Sequence, residues 1–305
     1  MANPIRPSTF ENIIGQDSVI QRLKVSIAGC ENGGVLPHVL IDGPPGLGKT
    51  TIAQAIAREL NEQIFILNGA NLRGIKNLIP YLLNVTERSV IFIDEIHRLP
   101  KVVEEFLYPV MEDFIMTIMN ENKPELINIP HFTLIGATTS GGSLSQPFYD
   151  RFSIKEHLSF YTPDDLAKLA GSNAKRLGLM IEDSEMVEIA KRSKGTPRIL
   201  NARLQWYKSF TAYHKDKKMS VDEIFNEQGI DSFGFDNYDR MYLNILQKNK
   251  GNPLGIKSIS SMTGIAMETI ENNIEPFMIR MGYVIRTSKG RIIGDVKDIS
   301  LNTKS

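Results

Sequence analysis

The residues Asp42-Gly43-Pro44-Pro45-Gly46-Leu47-Gly48-Lys49-Thr50-Thr51 have the types and spacing needed to hold a phosphate. They fit G-x-x-x-x-G-K-[ST], with Gly43 and Gly48 at the glycine positions. Glycines there let successive backbone N–H groups turn inward around an anion, and a helix starting behind them adds positive potential. Lys49 can reach β- and γ-phosphate oxygens, and the Thr50 hydroxyl can hold Mg²⁺. Further along, the apolar run Val90-Ile91-Phe92-Ile93 ends in Asp94-Glu95. An acidic pair after such a run equally starts a loop. Beside a phosphate loop it suits nucleotide hydrolysis, with Asp94 holding Mg²⁺ through water and Glu95 polarising the attacking water.

These residues need a scaffold. His38-Val39-Leu40-Ile41 before the loop reads as a strand, and Thr51-Ile52-Ala53-Gln54-Ala55-Ile56-Ala57 after it as a helix. Strands are predicted over 38–41, 64–67, 90–94 and 132–136, and helices over 50–60, 74–84 and 101–113. Such alternation predicts an α/β domain, a parallel sheet with helices on both faces and ligands at the strands' C-terminal ends. Thr133-Leu134-Ile135-Gly136-Ala137-Thr138-Thr139 ends in hydroxyls, which places Thr138 where a γ-phosphate or its water can be sensed. At Thr162-Pro163-Asp164-Asp165 a helix cap with Pro at N1 opens a helical segment over 163–228. Gly195-Thr196-Pro197-Arg198 opens another helix within it, and 230–236 reads as a joint.

The last segment reads as a winged helix: one helix over 236–248, a helix-turn-helix over 255–262 and 266–281, and a hairpin over 283–293 with Ser288-Lys289-Gly290 at its tip. From residue 232 onward Lys and Arg number ten against seven Asp and Glu. Between Pro276 and Gly294 lie Arg280, Arg286, Lys289 and Arg291 with no carboxylate, a pattern suited to sequence-blind phosphate contacts. A solvated basic hairpin or a wing that docks a protein fits the same pattern.

Composition sets outer bounds. The 305 residues suit two or three domains. Net charge is zero, so only local patches bear on nucleic acid. Cys30 is the single cysteine, which excludes an intrachain disulfide, and the five scattered histidines form no zinc-ligand spacing. No apolar run reaches membrane-spanning length, and the first residues carry no apolar signal core. The expectation is a soluble, cytoplasmic protein.

Taken together, the phosphate loop, the Asp94-Glu95 strand, the strand ending in Thr138, Asp150-Arg151-Phe152 and Gly195-Thr196-Pro197-Arg198 resemble an AAA+ ATPase. The resemblance narrows with Ile96-His97-Arg98-Leu99 after the acidic pair and with Leu107-Tyr108-Pro109-Val110-Met111-Glu112-Asp113. These are similar to the RuvB family of Holliday-junction branch-migration motors, from about Arg6 to about Arg291. The resemblance implies an AAA+ domain over 1–161, a helical lid over 162–231 and a DNA-binding winged helix over 232–305. It also implies roles: Ile5 and Arg6 bordering an adenine pocket closed by Tyr161, Thr138 as sensor 1, Arg198 as sensor 2, and Arg151 as a finger completing a neighbouring subunit's site. Pro44, Pro45, Leu47 and Thr51 line the loop with Gly43, Gly46, Gly48, Lys49 and Thr50. Arg286 and Arg291 match family positions that touch DNA, with Lys289 beside them. A hexameric ring, ATP, Mg²⁺, DNA and a RuvA-type junction-binding partner are implied.

Three departures mark a divergent member. The segment 117–129, where the family carries its partner-docking hairpin, is short, though Ile118, Leu126, Ile127 and Ile129 offer an apolar edge. Tyr149 replaces a usual arginine, and Asn201-Ala202-Arg203-Leu204-Gln205-Trp206 is less basic than usual. Two other classes share parts of this pattern: a clamp loader or replication initiator, which has the same finger and lid, and a nucleotide-switched DNA-binding regulator that barely hydrolyses ATP, which an intact Glu95 argues against.

Overall fold

A computed structural model describes residues 7, 9–30, 33–120, 123–139, 141–214, 219–249 and 251–294. Ile5 and Arg6 lie outside the described residues. The chain forms two compact units, one of residues up to Gly43 with Leu47–Ser159, the other of Pro44–Gly46 with the chain from Phe160 on.

The first unit is built on five parallel strands: β1 (Val39–Asp42), β2 (Ile64–Asn68), β3 (Val90–Asp94), β6 (Thr133–Thr138) and β7 (Ile154–His157). Their order is β2-β3-β6-β1-β7. The central strands are buried along their length because helices cover the sheet, and their sequences are accordingly almost wholly apolar. The helices are α1 (Asp17–Ala28), α2 (Lys49–Glu59), the short α3 (Ile79–Leu82), α4 (Lys101–Glu112) and the short α5 (Gln146–Asp150). In α2, Ile52, Ala53, Ala55 and Ile56 are buried, with alanines supplying helix propensity without bulk.

The sequence expectations differ from this unit at two places. The helix predicted over 74–84 is a 3₁₀ turn at Ile75–Asn77 followed by α3, because Pro80 favours a helix start over a helix interior. Strand β7 was not predicted: Ile154-Lys155-Glu156-His157 is polar because it lies at the sheet edge. Its buried Glu156 is neutralised by Arg22.

The second unit begins with α6 (Pro163–Leu177), α7 (Asp183–Lys191), α8 (Pro197–Tyr213) and α9 (Val221–Glu227). As its sequence predicts, α6 is capped by the Thr162 hydroxyl, which accepts from the Asp165 N–H at 3.1 Å. Then follow α10 (Asn237–Lys248), α11 (Ile256–Thr263), α12 (Met267–Thr269), a π turn at Ile270–Ile274, α13 (Glu275–Arg280) and the hairpin β8 (Val284–Thr287) with β9 (Gly290–Ile293). The single helix expected over 266–281 widens at the π turn. Pro276 has no N–H for the Asn272 carbonyl and its ring crowds that group. Phe235, Tyr242, Leu243, Ile259, Ile270 and Met278 form this module's core. Among the described residues no helix is long and apolar enough to cross a membrane.

Candidate active site and nucleic-acid interface

The phosphate loop leaves β1 and closes at Gly48, the left-handed N-cap of α2. Gly43, Gly46 and Gly48 have φ of 144°, 83° and 104°, values that side chains rarely tolerate. A Cβ at Gly46 would stand 2.8 Å from the Thr196 methyl and 2.9 Å from Arg198 Cβ. Lys49 is buried and donates to the Gly43 carbonyl at 2.6 Å, so its ammonium lies inside the loop that it serves. Leu47 is fully buried, while Pro44, Pro45, Thr50 and Thr51 are half-buried.

Strand order then brings the acidic pair to the loop: β6 lies between β1 and β3, so both motifs emerge beside it. The Thr50 hydroxyl donates to Asp94 Oδ2 at 3.4 Å, and Asp94 Oδ1 accepts from the Glu95 N–H at 3.0 Å. A hydroxyl and a carboxylate this close form a hard-oxygen donor set of the kind that magnesium takes. Glu95 has φ 51°, a left-handed conformation that ordinary residues occupy at a cost of about 1 kcal/mol or more. That turn directs the chain out of β3 and into the 3₁₀ turn Ile96–Arg98. Arg98 donates to Glu95 Oε2 at 3.0 Å. Thr138, at the end of β6, is buried, and its hydroxyl lies 3.0 Å from His97 Nδ1. Burial holds the His97 imidazole below its ordinary pKa, against an opposing pull from Glu95.

Arg151 follows α5 and is held within its own chain. Its guanidinium donates to Glu112 Oε2 at 3.0 Å and to the Pro147 carbonyl at 2.6 Å, and it stacks 4.1 Å from the centre of the Tyr108 ring. Its Nε is buried and meets no acceptor among the described residues. Tyr149 packs beneath the Lys155 ammonium at 4.4 Å.

In the second unit, Thr196 is the N-cap residue of α8, Pro197 occupies its first turn and Arg198 follows, exposed. The Arg198 N–H donates to the Gly46 carbonyl at 3.3 Å, and the Tyr161 N–H donates to the Gly195 carbonyl at 2.9 Å. Phosphate-loop residues and the candidate sensor 2 are thus in direct backbone contact.

The wing is less uniformly free than its sequence suggests. Arg286 is half exposed and reaches Glu271 at 2.8 Å, while Lys289 at the tip is exposed. Arg291, expected to face DNA, is instead buried. Its Nε donates to Glu275 Oε1 at 2.7 Å and its Nη2 to Glu271 at 3.0 Å, and Tyr242 donates to the same Glu275 oxygen at 2.9 Å. Two of the four cations in the window without carboxylates, Arg286 and Arg291, are thus paired in space with two glutamates that precede it.

The sequence matches three family descriptions in turn: "Holliday junction DNA helicase RuvB P-loop domain" over residues 5–158, "RuvB AAA lid domain" over 161–236 and "RuvB C-terminal winged helix domain" over 232–296. A RuvB subunit from Rhodopirellula baltica is 41% identical over 298 residues, which is 94% of this chain and 81% of that relative. The chain belongs to the RuvB family. The solved Thermotoga maritima RuvB motor superposes with a TM-score of 0.87 at 36% identity, covering 96% of both chains. A single-substitution form of that RuvB matches with the same score and coverage at 34% identity.

The segment expected to dock a partner forms a hairpin after α4, with β4 (Ile115–Asn120) paired antiparallel to β5 (Lys123–Asn128). Of the four residues expected to form its apolar edge, only Leu126 projects, at 71% exposed, together with Met119, which was not anticipated. Ile129 is buried, and Ile118 and Ile127 pack against the core. Sequence reasoning also missed roles for His97, Tyr108 and Glu112. All three sit in the segments that carry the RuvB resemblance, and that was the signal available.

Proposed function

We propose that this chain is the ATP-hydrolysing motor subunit of a Holliday-junction branch-migration complex. Membership of the RuvB family and the curated relative's description as a branch migration complex subunit support this reading. One observation carries the chemistry: Lys49 inside its loop and the Thr50–Asp94 pair converge at the C-terminal ends of β1 and β3, on either side of β6. A triphosphate lying on the loop meets the α2 N-terminus and Lys49. Mg²⁺, when bound, would neutralise charge on the β- and γ-phosphate oxygens, and Thr50 and Asp94 would hold it. Glu95 orients the attacking water once it parts from Arg98, and Thr138 with His97 faces the same strand ends.

Arg198 and Arg151 act as sensor 2 and finger. Reaching a neighbouring subunit's nucleotide requires Arg151 to leave Glu112, and that division of labour calls for a ring, read here as a hexamer. The T. maritima structures include forms substituted at an alanine, a threonine, an arginine and a proline; the same four types recur at the same intervals as Ala137, Thr139, Arg151 and Pro197. That spacing adds Thr139 to Thr138 as a candidate sensor 1. Ile5, Arg6 and Tyr161 are assigned to the adenine pocket, and the chain divides into ATPase, lid and winged-helix domains at about residues 161 and 231. Arg286 and Lys289 contact DNA phosphates, whereas Arg291 holds the wing in place. Met119 and Leu126 dock a RuvA-type partner.

Nucleotide retention tests the core of this reading. Wild-type protein should hold a fluorescent ATP analogue in the presence of magnesium, and Lys49→Ala should lose both retention and turnover. Normal turnover in Lys49→Ala would overturn the assignment.

A further inference from the structure

The segment Arg192–Arg198 touches three functional regions at once. At its C-terminal end the Arg198 N–H reaches the Gly46 carbonyl of the phosphate loop. In its middle the Gly195 carbonyl accepts from Tyr161. At its N-terminal end it is fixed to the start of the winged-helix module. Lys194, itself in a left-handed conformation with φ 49°, ion-pairs with Asp239 in the first turn of α10. Lys194 is nearly buried and Asp239 is 1% exposed. Asp239 also caps α10 reciprocally with Asp236.

The joint before α10 is built as tightly. Asp231 accepts from the N–H groups of Phe233 and Phe235 at 3.0 and 2.9 Å. Arg240 donates to the Phe235 and Gly229 carbonyls, both at 2.8 Å. A Cβ at Gly234 would stand 2.5 Å from the Arg192 carbonyl, so the joint lies directly on the segment that leads to Arg198. The segment that the sequence marks as a joint is therefore cross-braced, and a buried ion pair joins its two sides. Burying two charges costs more than it returns unless geometry is satisfied, and such pairs fix relative position more than they add stability.

We propose that Lys194 and Asp239 are positioning residues that pass the nucleotide-dependent state of Arg198 to the DNA-binding module, coupling ATP turnover to DNA movement. The inference rests on the reading of Arg198 as a nucleotide sensor and of the C-terminal module as the DNA contact. If a nucleotide moves Arg198, the Lys194–Asp239 link carries α10 with it instead of letting the joint flex.

The test uses the full chain with a synthetic four-way junction, a RuvA partner and ATP. It compares wild type, Asp239→Asn, Lys194→Met and the charge-free pair Lys194→Met with Asp239→Leu. The single variants should keep DNA-free ATPase within about twofold, while DNA stimulation and junction movement per ATP fall about tenfold, an ordinary coupling between two sites. The charge-free pair should be more stable than the single variants, short of wild type by the lost cap on the Asp236 N–H, but should not regain coupling, and it serves as the test if a single variant fails to fold. The proposal is overturned if coupling stays intact in the single variants, if basal and stimulated rates fall in equal proportion, or if coupling returns together with stability in the charge-free pair. Arg198→Ala is the separate control. An unchanged ATPase in that variant, or a wild type that DNA does not stimulate, would remove the functional reading beneath the proposal.

Discussion

Arg291 offers a sharp test because its sequence position and its surroundings point to different roles. In Arg291→Met, Glu275 would keep a carboxylate that is 1% exposed, with the Tyr242 hydroxyl as its remaining hydrogen-bond donor among the described residues. Burial and the Glu275 charge push the Tyr242 phenol well up, so it stays a protonated donor but supplies no positive charge. Removing one partner of a buried ion pair costs about 3–5 kcal/mol. At about 1.4 kcal/mol per factor of ten, amide protection in α10, α13 and β9 should fall by roughly 10² to a few times 10³. Hydrogen exchange with mass spectrometry on the full chain reads this directly. A companion titration of duplex binding against salt should show Lys289→Ala lowering the slope of log K against log salt by about 0.9, the loss of one phosphate contact. Arg291→Met should leave that slope unchanged under conditions where the wing is folded. Unaltered protection in Arg291→Met, together with a slope reduced by about one, would refute the argument and restore Arg291 as a DNA contact.

Two further outcomes are expected. Arg151→Ala should lower ATP turnover by about 10³–10⁵, the range for fingers supplied in trans. Mixing it with Glu95→Gln should recover part of the rate, because one variant brings an intact finger and the other an intact site; no recovery in mixtures would confine Arg151 to a structural role. His38 is buried, donates from Nε2 to the Met111 carbonyl at 3.0 Å and accepts the Leu134 N–H on Nδ1 at 2.9 Å, and burial holds its pKa below the ordinary value. A group lowered on folding contributes its full stability above its unfolded pKa of about 6.5 and loses it as pH falls toward the folded value, by at most about 1.4 kcal/mol per pH unit. The Leu134 amide protection factor, in which the intrinsic pH dependence of exchange is divided out, should fall below that pH in wild type and fall less steeply in His38→Gln.

How far the sequence could be read depended on whether a residue's role is local. Gly43, Gly48, Lys49 and Thr50 are legible because a phosphate loop dictates backbone freedom and reach at fixed spacing. Strands β1, β3 and β6 are legible because burial on both faces demands an apolar run. Strand β7 escaped because an edge strand keeps its polar residues. The burial of Arg291 was invisible because its partners stand 16 and 20 residues earlier, outside any charge window. Lys194 and Asp239 are 45 residues apart and look like ordinary surface charges until the fold buries them together. Arg151's hold on Glu112 spans 39 residues and was equally invisible.

The central claim is that ATP held between Lys49 and the Asp94–Glu95 pair is cleaved to move DNA. Branch migration of a synthetic four-way junction, followed with a RuvA partner and compared between wild type and Glu95→Gln, tests it most directly. Wild type should dissociate the junction only when ATP is hydrolysed, and Glu95→Gln should retain ATP yet leave the junction intact. Junction movement by Glu95→Gln at the wild-type rate would contradict it.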